Sequence, residues 1–198
     1  MCVVAFITQR QHIVRADRTG VRHRMKPARR NEQIICAPAH GAEHRRQGAN
    51  NRYRPPGGGE VELAREIAAA VARTMLYLPG DPVAAATPIE GRPTVEVTAE
   101  TTLAAARRLG GDAACLVFAS ARNPGGGFLT GAQAQEESLA RASALHSCRQ
   151  AAPQFYAVHR QQPDLRYSDR VIYSPSVPVF RDDDGTSLAP MRRLRGRQ

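Results

Sequence analysis

The feature that most constrains the fold of this chain is a strand-length apolar stretch that leads into a glycine-rich loop. Ala113–Ala119 (AACLVFA) is followed by Ser120–Ala134 and then by the helix-forming segment Gln135–Gln150. An unbroken apolar run is typical of a strand that is covered on both faces, as in a parallel sheet. A strand–loop–helix unit of this kind requires packed layers, so the sequence predicts an α/β fold.

The segments on either side of this unit continue the alternation of strands and helices. Apolar residues recur at helical spacing after the turn-forming sequence RPPGGG, and TVEV has the alternation of a strand. The alternation indicates an α/β sandwich with a largely parallel sheet. The predicted elements are the helix carrying Leu63, Ile67, Val71, Met75 and Leu78, the strand Thr94–Val97, the helix Thr98–Leu109 ended by Gly110–Gly111, and the strand Val171–Tyr173.

The charge of the chain lies at its ends. The formal net charge is +10, and residues 1–54 hold 12 basic and 3 acidic residues, which gives 12 − 3 = +9. We expect residues 1–52 to be a basic, poorly ordered segment, 53–185 to be the folded domain and 186–198 to be a basic tail. Because the net positive charge lies outside the predicted fold, we do not expect nucleic-acid binding.

Composition excludes several other classes of protein. No apolar run reaches the roughly 18 residues that a membrane span needs, and Met1–Thr8 lacks the flanks of a signal peptide. The four cysteines, Cys2, Cys36, Cys115 and Cys148, form no CxxC pair. We therefore expect neither a zinc site nor a disulfide scaffold, and we expect a cytoplasmic protein.

Three consecutive glycines in the loop and two adjacent glutamates in the helix that follows are candidate functional residues. Gly125, Gly126 and Gly127 have no Cβ, so their backbone can approach an anion such as a diphosphate, although a structural turn also explains them. Glu136 and Glu137 fall in the first turn of the next helix, about 100° apart around its axis. Carboxylates at this position either stabilise the helix or act as acid and base on a bound ligand.

The spacing GGG, seven residues, then QEE resembles the signature of poly(ADP-ribose) glycohydrolases. The wider segment FASARNPGGGFLTGAQAQEESLARASAL is similar to the microbial-type branch of that family. The similarity extends from about Tyr53 to about Gly185, or two thirds of the chain. It implies a macrodomain-like α/β/α sandwich with a mixed, largely parallel sheet, and hydrolysis of the ribose–ribose O-glycosidic bonds of poly(ADP-ribose) without metal or cofactor.

The resemblance also implies roles for individual residues. Glu137 matches the catalytic acid/base of the family, and Glu136 matches the residue that orients the ribose. Gly125, Gly126 and Gly127 are expected to line the diphosphate and the distal ribose. Asn123 and Gln135 are expected to support the loop or the substrate, and Phe128 either packs on the sugar or anchors the loop. The implied partners are poly(ADP-ribose) or ADP-ribosylated proteins, and the expected state is a monomer.

The sequence departs from the family after Gly185. The family continues with a second glycine-rich stretch that closes over the diphosphate and with an aromatic residue that stacks on adenine, and TSLAPMRRLRGRQ supplies neither. We therefore expect the sheet to be incomplete at the C-terminus. Two alternatives follow, namely an ADP-ribose-binding module or an inactive fragment. A third is an arginine-rich nucleic-acid binder built on a defunct domain.

Overall fold

The computed structural model describes residues 3–7, 51–82, 95–110, 113–163 and 166–188. These residues form six strands, five α-helices and one 3₁₀ turn. The strands are β1 (Val3–Ile7), β2 (Arg52–Tyr53), β3 (Val61–Glu62), β4 (Met75–Tyr77), β5 (Ala114–Leu116) and β6 (Val171–Pro175). The helices are α1 (Ala64–Ala72), α2 (Thr102–Leu109), α3 (Gln135–Ala142), α4 (Leu145–Gln150) and α5 (Pro153–Gln161), and the 3₁₀ turn is Phe128–Thr130.

The main sheet has four strands in the order β4-β6-β1-β5, and β2 and β3 form a separate antiparallel hairpin. Strand β1 runs parallel to β6, with Ala5 opposite Tyr173. It runs antiparallel to β5, and β4 runs antiparallel to β6. The fold is therefore α/β with a mixed sheet, as the sequence predicts.

The predicted parallel majority is wrong for the described strands, because only one of the three pairings in the main sheet is parallel. The reason is the position of β1. We expected residues 1–52 to be poorly ordered, but Val3–Ile7 forms a strand between β5 and β6 and runs antiparallel to β5. The rest of that segment to residue 50, and residues 189–198 of the tail, lie outside the described residues.

One strand prediction and one helix prediction are corrected. Val95–Val97 belong to no strand, Val97 is 95% exposed, and Thr94 of the predicted strand lies outside the described residues. The helix beginning after Leu63 ends at Ala72, and Met75 lies in β4. Helix α2 is confirmed. Its N-cap residue Thr101 accepts a hydrogen bond from Ala104 N at 3.0 Å, and Gly110 ends it with a φ of 65°.

The predicted single helix Gln135–Gln150 is two helices, α3 and α4. Ser143 between them is extended and forms a bridge with Val179, and Ala144 N donates to Pro178 O at 3.0 Å. Tertiary pairing with the segment after β6 therefore interrupts the helix. Helix α5 was not predicted, although Pro153 at its first turn is a recognised start signal.

The core joins the strand ends to the helices. Helices α1 and α4 pack on each other and against β6, while α2 packs against β5. The fully buried apolar residues of the core come from α1, the segment after β5, α4, α5 and β6, namely Ala70, Val117, Ala121, Leu145, Cys148, Phe155 and Ile172. This packing fixes the segment after β5 and the start of α3 in one place. Within the described residues, no helix has the length and apolarity needed to cross a membrane.

Candidate active site

Hydrogen bonds of the Gln135 side chain join the start of α3 to the end of β5. Its amide oxygen accepts from Phe118 N at 2.8 Å, and its amide nitrogen donates to Leu116 O at 2.9 Å and to Thr102 Oγ1 at 3.0 Å. The side chain thus pairs with the backbone much as a neighbouring strand would. These contacts hold Gln135 against the end of β5 and the start of α2, and its expected role in supporting the loop or the substrate stays a prediction.

The loop turns at Asn123–Gly126. Gly126 N donates to Asn123 O at 3.0 Å, and Gly125 has a φ of 76°. Pro followed by Gly with a positive φ is the arrangement of a type II turn. The hydroxyl of Ser120 accepts from the backbone N–H groups of Arg122 and Asn123 at 3.2 and 3.1 Å. The side chain of Asn123 is exposed, so the described contacts of this residue are those of its backbone.

The glycines allow the loop to pack directly on the glutamates. A Cβ on Gly126 would overlap Glu137 Oε1 and lie 3.0 Å from Glu136 Oε2. A Cβ on Gly127 would lie 2.9 Å from Ala132 Cβ. The N–H groups of Gly126 and Gly127 bond to Asn123 O and to Glu137. These two N–H groups are therefore engaged within the protein, and the glycines act here by making room for a carboxylate.

Glu137 is tied to the loop on one side and to its own helix on the other. Its Oε1 accepts from Gly127 N at 3.0 Å, and its Oε2 accepts from Ala134 N at 3.1 Å. The second bond satisfies an N–H at the start of α3, as the third-position glutamate of a capping box does. The side chain is 8% exposed. One carboxylate thus lies at the junction of the glycine loop and the helix, fixed by two donors.

Glu136 points to a different set of partners. Its Oε2 accepts from Ser120 N at 2.6 Å, and its Oε1 forms a buried ion pair with Arg149. Burial raises the pKa of Glu136, while the Arg149 guanidinium and the Ser120 N–H act in the opposite direction and the neighbouring Glu137 raises it further. Adjacent residues on one helix turn therefore have separate environments.

Phe128 anchors the loop and does not face outward. It is 1% exposed, and its ring centroid lies 4.8 Å from that of His146. Both rings lie beside Gly125, where a Cβ would be 2.9 Å from Phe128 and 3.0 Å from His146 Nδ1. Burial lowers the pKa of His146, with Arg149 acting in the same direction and the Pro124 carbonyl opposing it. Of the two roles expected for Phe128, the geometry favours the anchor.

The structure brings the predicted residues together and adds one that the sequence did not single out. Gly126, Gly127, Glu136, Glu137 and Gln135 share one network. Arg149 was missed because a continuous helix would place it about 20 Å from Glu136 along the axis, at 1.5 Å for each of 13 residues. The break at Ser143 removes that separation. No local signal in the sequence, such as Gly or Pro, marks the break.

Other candidate chemistry is limited. Among the residues that the structure describes, no group of three or more His, Cys, Asp or Glu is placed to hold a metal ion. Cys148 is buried, and burial raises its pKa to about 11, so its thiol is not activated. Cys2 and Cys36 lie outside the described residues. The network around the two glutamates is therefore the site that the described residues support.

Comparison with known proteins identifies relatives that share this region. The family model for the microbial-type PARG catalytic domain matches residues 42–182. No curated protein matches the chain significantly.

Solved structures of poly(ADP-ribose) glycohydrolase from two bacteria are similar to this chain. The enzyme from Thermomonospora curvata is 50% identical, with a TM-score of 0.68 over 76% of this chain and 58% of that chain. The same bacterium's glycohydrolase bound to the inhibitor ADP-HPD is 48% identical, with a TM-score of 0.64 over 76% and 57%. The enzyme from Deinococcus radiodurans in complex with ADP-ribose is 42% identical, with a TM-score of 0.51 over 65% and 55%. The chain thus spans less than two thirds of the length of each relative.

Proposed function

Because this chain belongs to the microbial-type poly(ADP-ribose) glycohydrolase family, we propose that it hydrolyses the ribose–ribose O-glycosidic bonds of poly(ADP-ribose) and releases ADP-ribose. The observation that carries the proposal is the attachment of Glu137 to the glycine loop through Gly127 N. That contact sets a carboxylate beside the segment expected to meet the diphosphate and the distal ribose. The ADP-ribose and ADP-HPD complexes of the relatives support the substrate class.

In this mechanism Glu137 carries the proton. It protonates the oxygen of the leaving ribose as the glycosidic bond breaks and an oxocarbenium-like centre develops. The carboxylate then takes a proton from the water that attacks that centre, which restores the starting state. The two backbone donors, Gly127 N and Ala134 N, hold the carboxylate in one orientation for both steps.

Glu136 and the loop residues position the substrate. The buried pair with Arg149 fixes the Glu136 carboxylate, which we assign to the ribose hydroxyls. Gly125, Gly126 and Gly127 bring the backbone close to the glutamates, and we assign to them the surface that meets the diphosphate and the distal ribose. Asn123 and Gln135 shape the loop, and Phe128 anchors it from below.

The remaining features of the proposal concern the molecule as a whole. We assign the catalytic domain to residues 53–185 together with strand β1, with the rest of 1–52 and 186–198 as flanking segments, and the family match from residue 42 favours a slightly earlier start. The partners are poly(ADP-ribose) or ADP-ribosylated proteins. The protein acts as a monomer without a cofactor, in the cytoplasm, where the four cysteines stay reduced.

The test is release of free ADP-ribose from purified poly(ADP-ribose), followed by chromatography. Wild type is compared with Glu137→Gln and with Glu62→Gln, a matched change at an exposed carboxylate of the β2–β3 hairpin. Loss of a positioned acid/base slows such reactions by about 10²–10⁴-fold, so Glu137→Gln should lose activity to that extent. Glu62→Gln should match wild type.

Binding of ADP-ribose, measured by calorimetry on the same samples, separates the alternatives. A wild-type protein that binds ADP-ribose and releases none from the polymer would be a binding module. A folded sample that neither binds nor hydrolyses would contradict the proposal altogether. Wild-type activity retained in Glu137→Gln would contradict the role of Glu137 alone.

A further inference from the structure

Arg149 is completely buried and forms an ion pair with Glu136. Each of its donor nitrogens has a separate partner: Nε donates to Tyr156 OH at 2.8 Å, one Nη is paired with Glu136, and the other donates to Ser120 O at 3.2 Å. The guanidinium carbon also lies 5.7 Å from the centroid of the Tyr156 ring. Only the planar fork of an arginine reaches three acceptors in this way.

Ser120 closes the arrangement through its backbone. Its N–H donates to Glu136, and its carbonyl accepts from Arg149. The Ser120 hydroxyl also accepts from the N–H groups of Arg122 and Asn123, at the start of the turn that contains Gly125. The buried pair therefore fixes the first residue of the glycine loop and the first turn of α3 relative to each other.

The ion pair with Arg149 gives Glu136 an electrostatic environment different from that of Glu137. Glu136 has a permanent cation beside it, whereas the bonds of Glu137 are to the backbone N–H groups of Gly127 and Ala134. Burial raises the pKa of Glu136 and so favours its neutral form. Arg149 opposes that preference at Glu136.

We propose that Arg149 is a positioning residue that holds the Glu136 carboxylate on Ser120 N and so fixes the first turn of α3, which carries Glu137, against the glycine loop. This inference rests on the proposed hydrolysis for its catalytic meaning. The electrostatic interaction between the buried side chains of Arg149 and Glu136 can be tested whether or not the chain turns over substrate. Arg149 itself touches neither the loop glycines nor Glu137 in the described contacts, and it acts through Glu136.

The experiment uses the full chain and four variants. Arg149→Met removes the charge, Arg149→Lys keeps it, and Arg149→Met/Glu136→Gln removes both members of the pair while leaving an oxygen for Ser120 N. Arg108→Met is the matched control, because it breaks an exposed ion pair with Glu96 and Glu100. The readouts are the pH dependence of kcat/KM for ADP-ribose release and the pH dependence of the melting temperature.

Removal of Arg149 should raise the pKa of Glu136, because the largest influence that lowers it is lost. The loss of kcat/KM in Arg149→Met should then be greater at pH 6 than at pH 8, because protonation of Glu136 increases as pH falls. Arg149→Lys should lower activity by a similar factor at both values. Arg108→Met should follow the wild-type profile.

The melting curves decide the question independently of activity. Arg149→Met should be less stable than the double variant, and the difference should widen as pH rises, because only the single variant must bury an unpaired carboxylate. If Arg149→Met does not fold, a folded double variant still supports the inference. Equal melting temperatures at every pH, or a double variant that is the less stable of the two, would overturn it. An inactive wild type would contradict the proposed function and leave this comparison valid.

Discussion

At the residue scale, the site depends on the glycines that pack against the adjacent residues Glu136 and Glu137. Sequence reasoning identified the glycines and the glutamates because their spacing is distinctive and their chemistry is local. The sequence Asn-Pro-Gly-Gly is also typical of a turn, and Gly125 has the positive φ that such a turn requires. Sequence reasoning could not find Arg149, because a buried arginine is indistinguishable from an exposed one until its partner is known.

Gly126 provides a prediction at this scale. Gly126→Ala should lower the rate of ADP-ribose release by about 10²-fold, because a Cβ at this position overlaps Glu137 Oε1 and displaces the carboxylate. Gly131→Ala is the matched control. It has the same backbone constraint, with a φ of 92°, but nothing within 4 Å of a Cβ. Both variants should lose roughly 1 kcal/mol of stability from the left-handed backbone, and only Gly126→Ala should lose activity.

If the two variants lose equal activity, backbone strain accounts for the effect and close contact with Glu137 does not. Steady-state rates and urea unfolding of both proteins provide the comparison.

His146 gives a prediction about pH. Burial lowers its pKa below the ordinary value of 6.5. The folded protein therefore binds this proton less readily than the unfolded chain. The associated stability is present above pH 6.5 and is lost as pH falls through the folded pKa.

His146→Phe removes the titrating group while keeping a ring beside Phe128. Below pH 6.5 the melting temperature of the variant should fall less steeply than that of wild type. Parallel melting curves for the two proteins between pH 5 and pH 8 would show that His146 does not contribute to this dependence.

At the element scale, the break between α3 and α4 brings the site together. Composition alone favours one helix over Gln135–Gln150, and the break arises from contacts that are distant in sequence. Phe180 N and Arg181 N donate to Ala142 O, and Ser143 bridges to Val179. Local propensity predicted helical structure for both segments but missed the junction between them, because the partner of Ser143, Val179, lies 179 − 143 = 36 residues further along the chain.

Ser143 supports a prediction about this junction. Its hydroxyl donates to Leu139 O at 2.6 Å and accepts from Leu145 N at 3.2 Å, and the residue is buried. Ser143→Ala should destabilise the protein by about 1–2 kcal/mol, because buried groups at both helix ends lose a partner. Ser147→Ala, at a half-buried position of α4, should change stability by no more than about 0.5 kcal/mol.

Urea unfolding provides the measurement, and kcat/KM should fall in Ser143→Ala alone, since only this change shifts Arg149. A Ser143→Ala protein with wild-type stability would contradict the importance of the junction.

At the scale of the whole molecule, the sheet is assembled from strands that are far apart in sequence. The α/β class was predictable from the alternation of apolar patterns, whereas the macrodomain-like sandwich was implied only by the family resemblance. The strand order was not, because β1 comes from a segment whose charge and irregular spacing suggested no structure. Its five residues nonetheless pair with both β5 and β6. Strand pairing is non-local, and a short apolar segment carries little information about its partners.

Strand β1 gives a prediction about the stability of the whole domain. Ala5 pairs with Leu116 on one side and Tyr173 on the other. Ala5→Pro removes a backbone N–H from the interior of the sheet and should cost roughly 1–3 kcal/mol for the partner left unsatisfied. This corresponds to a fall in melting temperature of about 2–12 °C. Ala5→Val, which favours a strand, is the control, and an unchanged melting temperature in Ala5→Pro would contradict the central position of β1.

The central claim is that Glu137 transfers the proton and Glu136 does not. The most direct test is chemical rescue, in which free ADP-ribose is measured by chromatography for Glu137→Ala and Glu136→Ala with increasing sodium formate. Formate should restore part of the lost rate in Glu137→Ala, because a small carboxylic acid and its anion can replace the missing group, and it should leave Glu136→Ala unchanged. Rescue of Glu136→Ala alone, or a wild-type rate in untreated Glu137→Ala, would contradict the account.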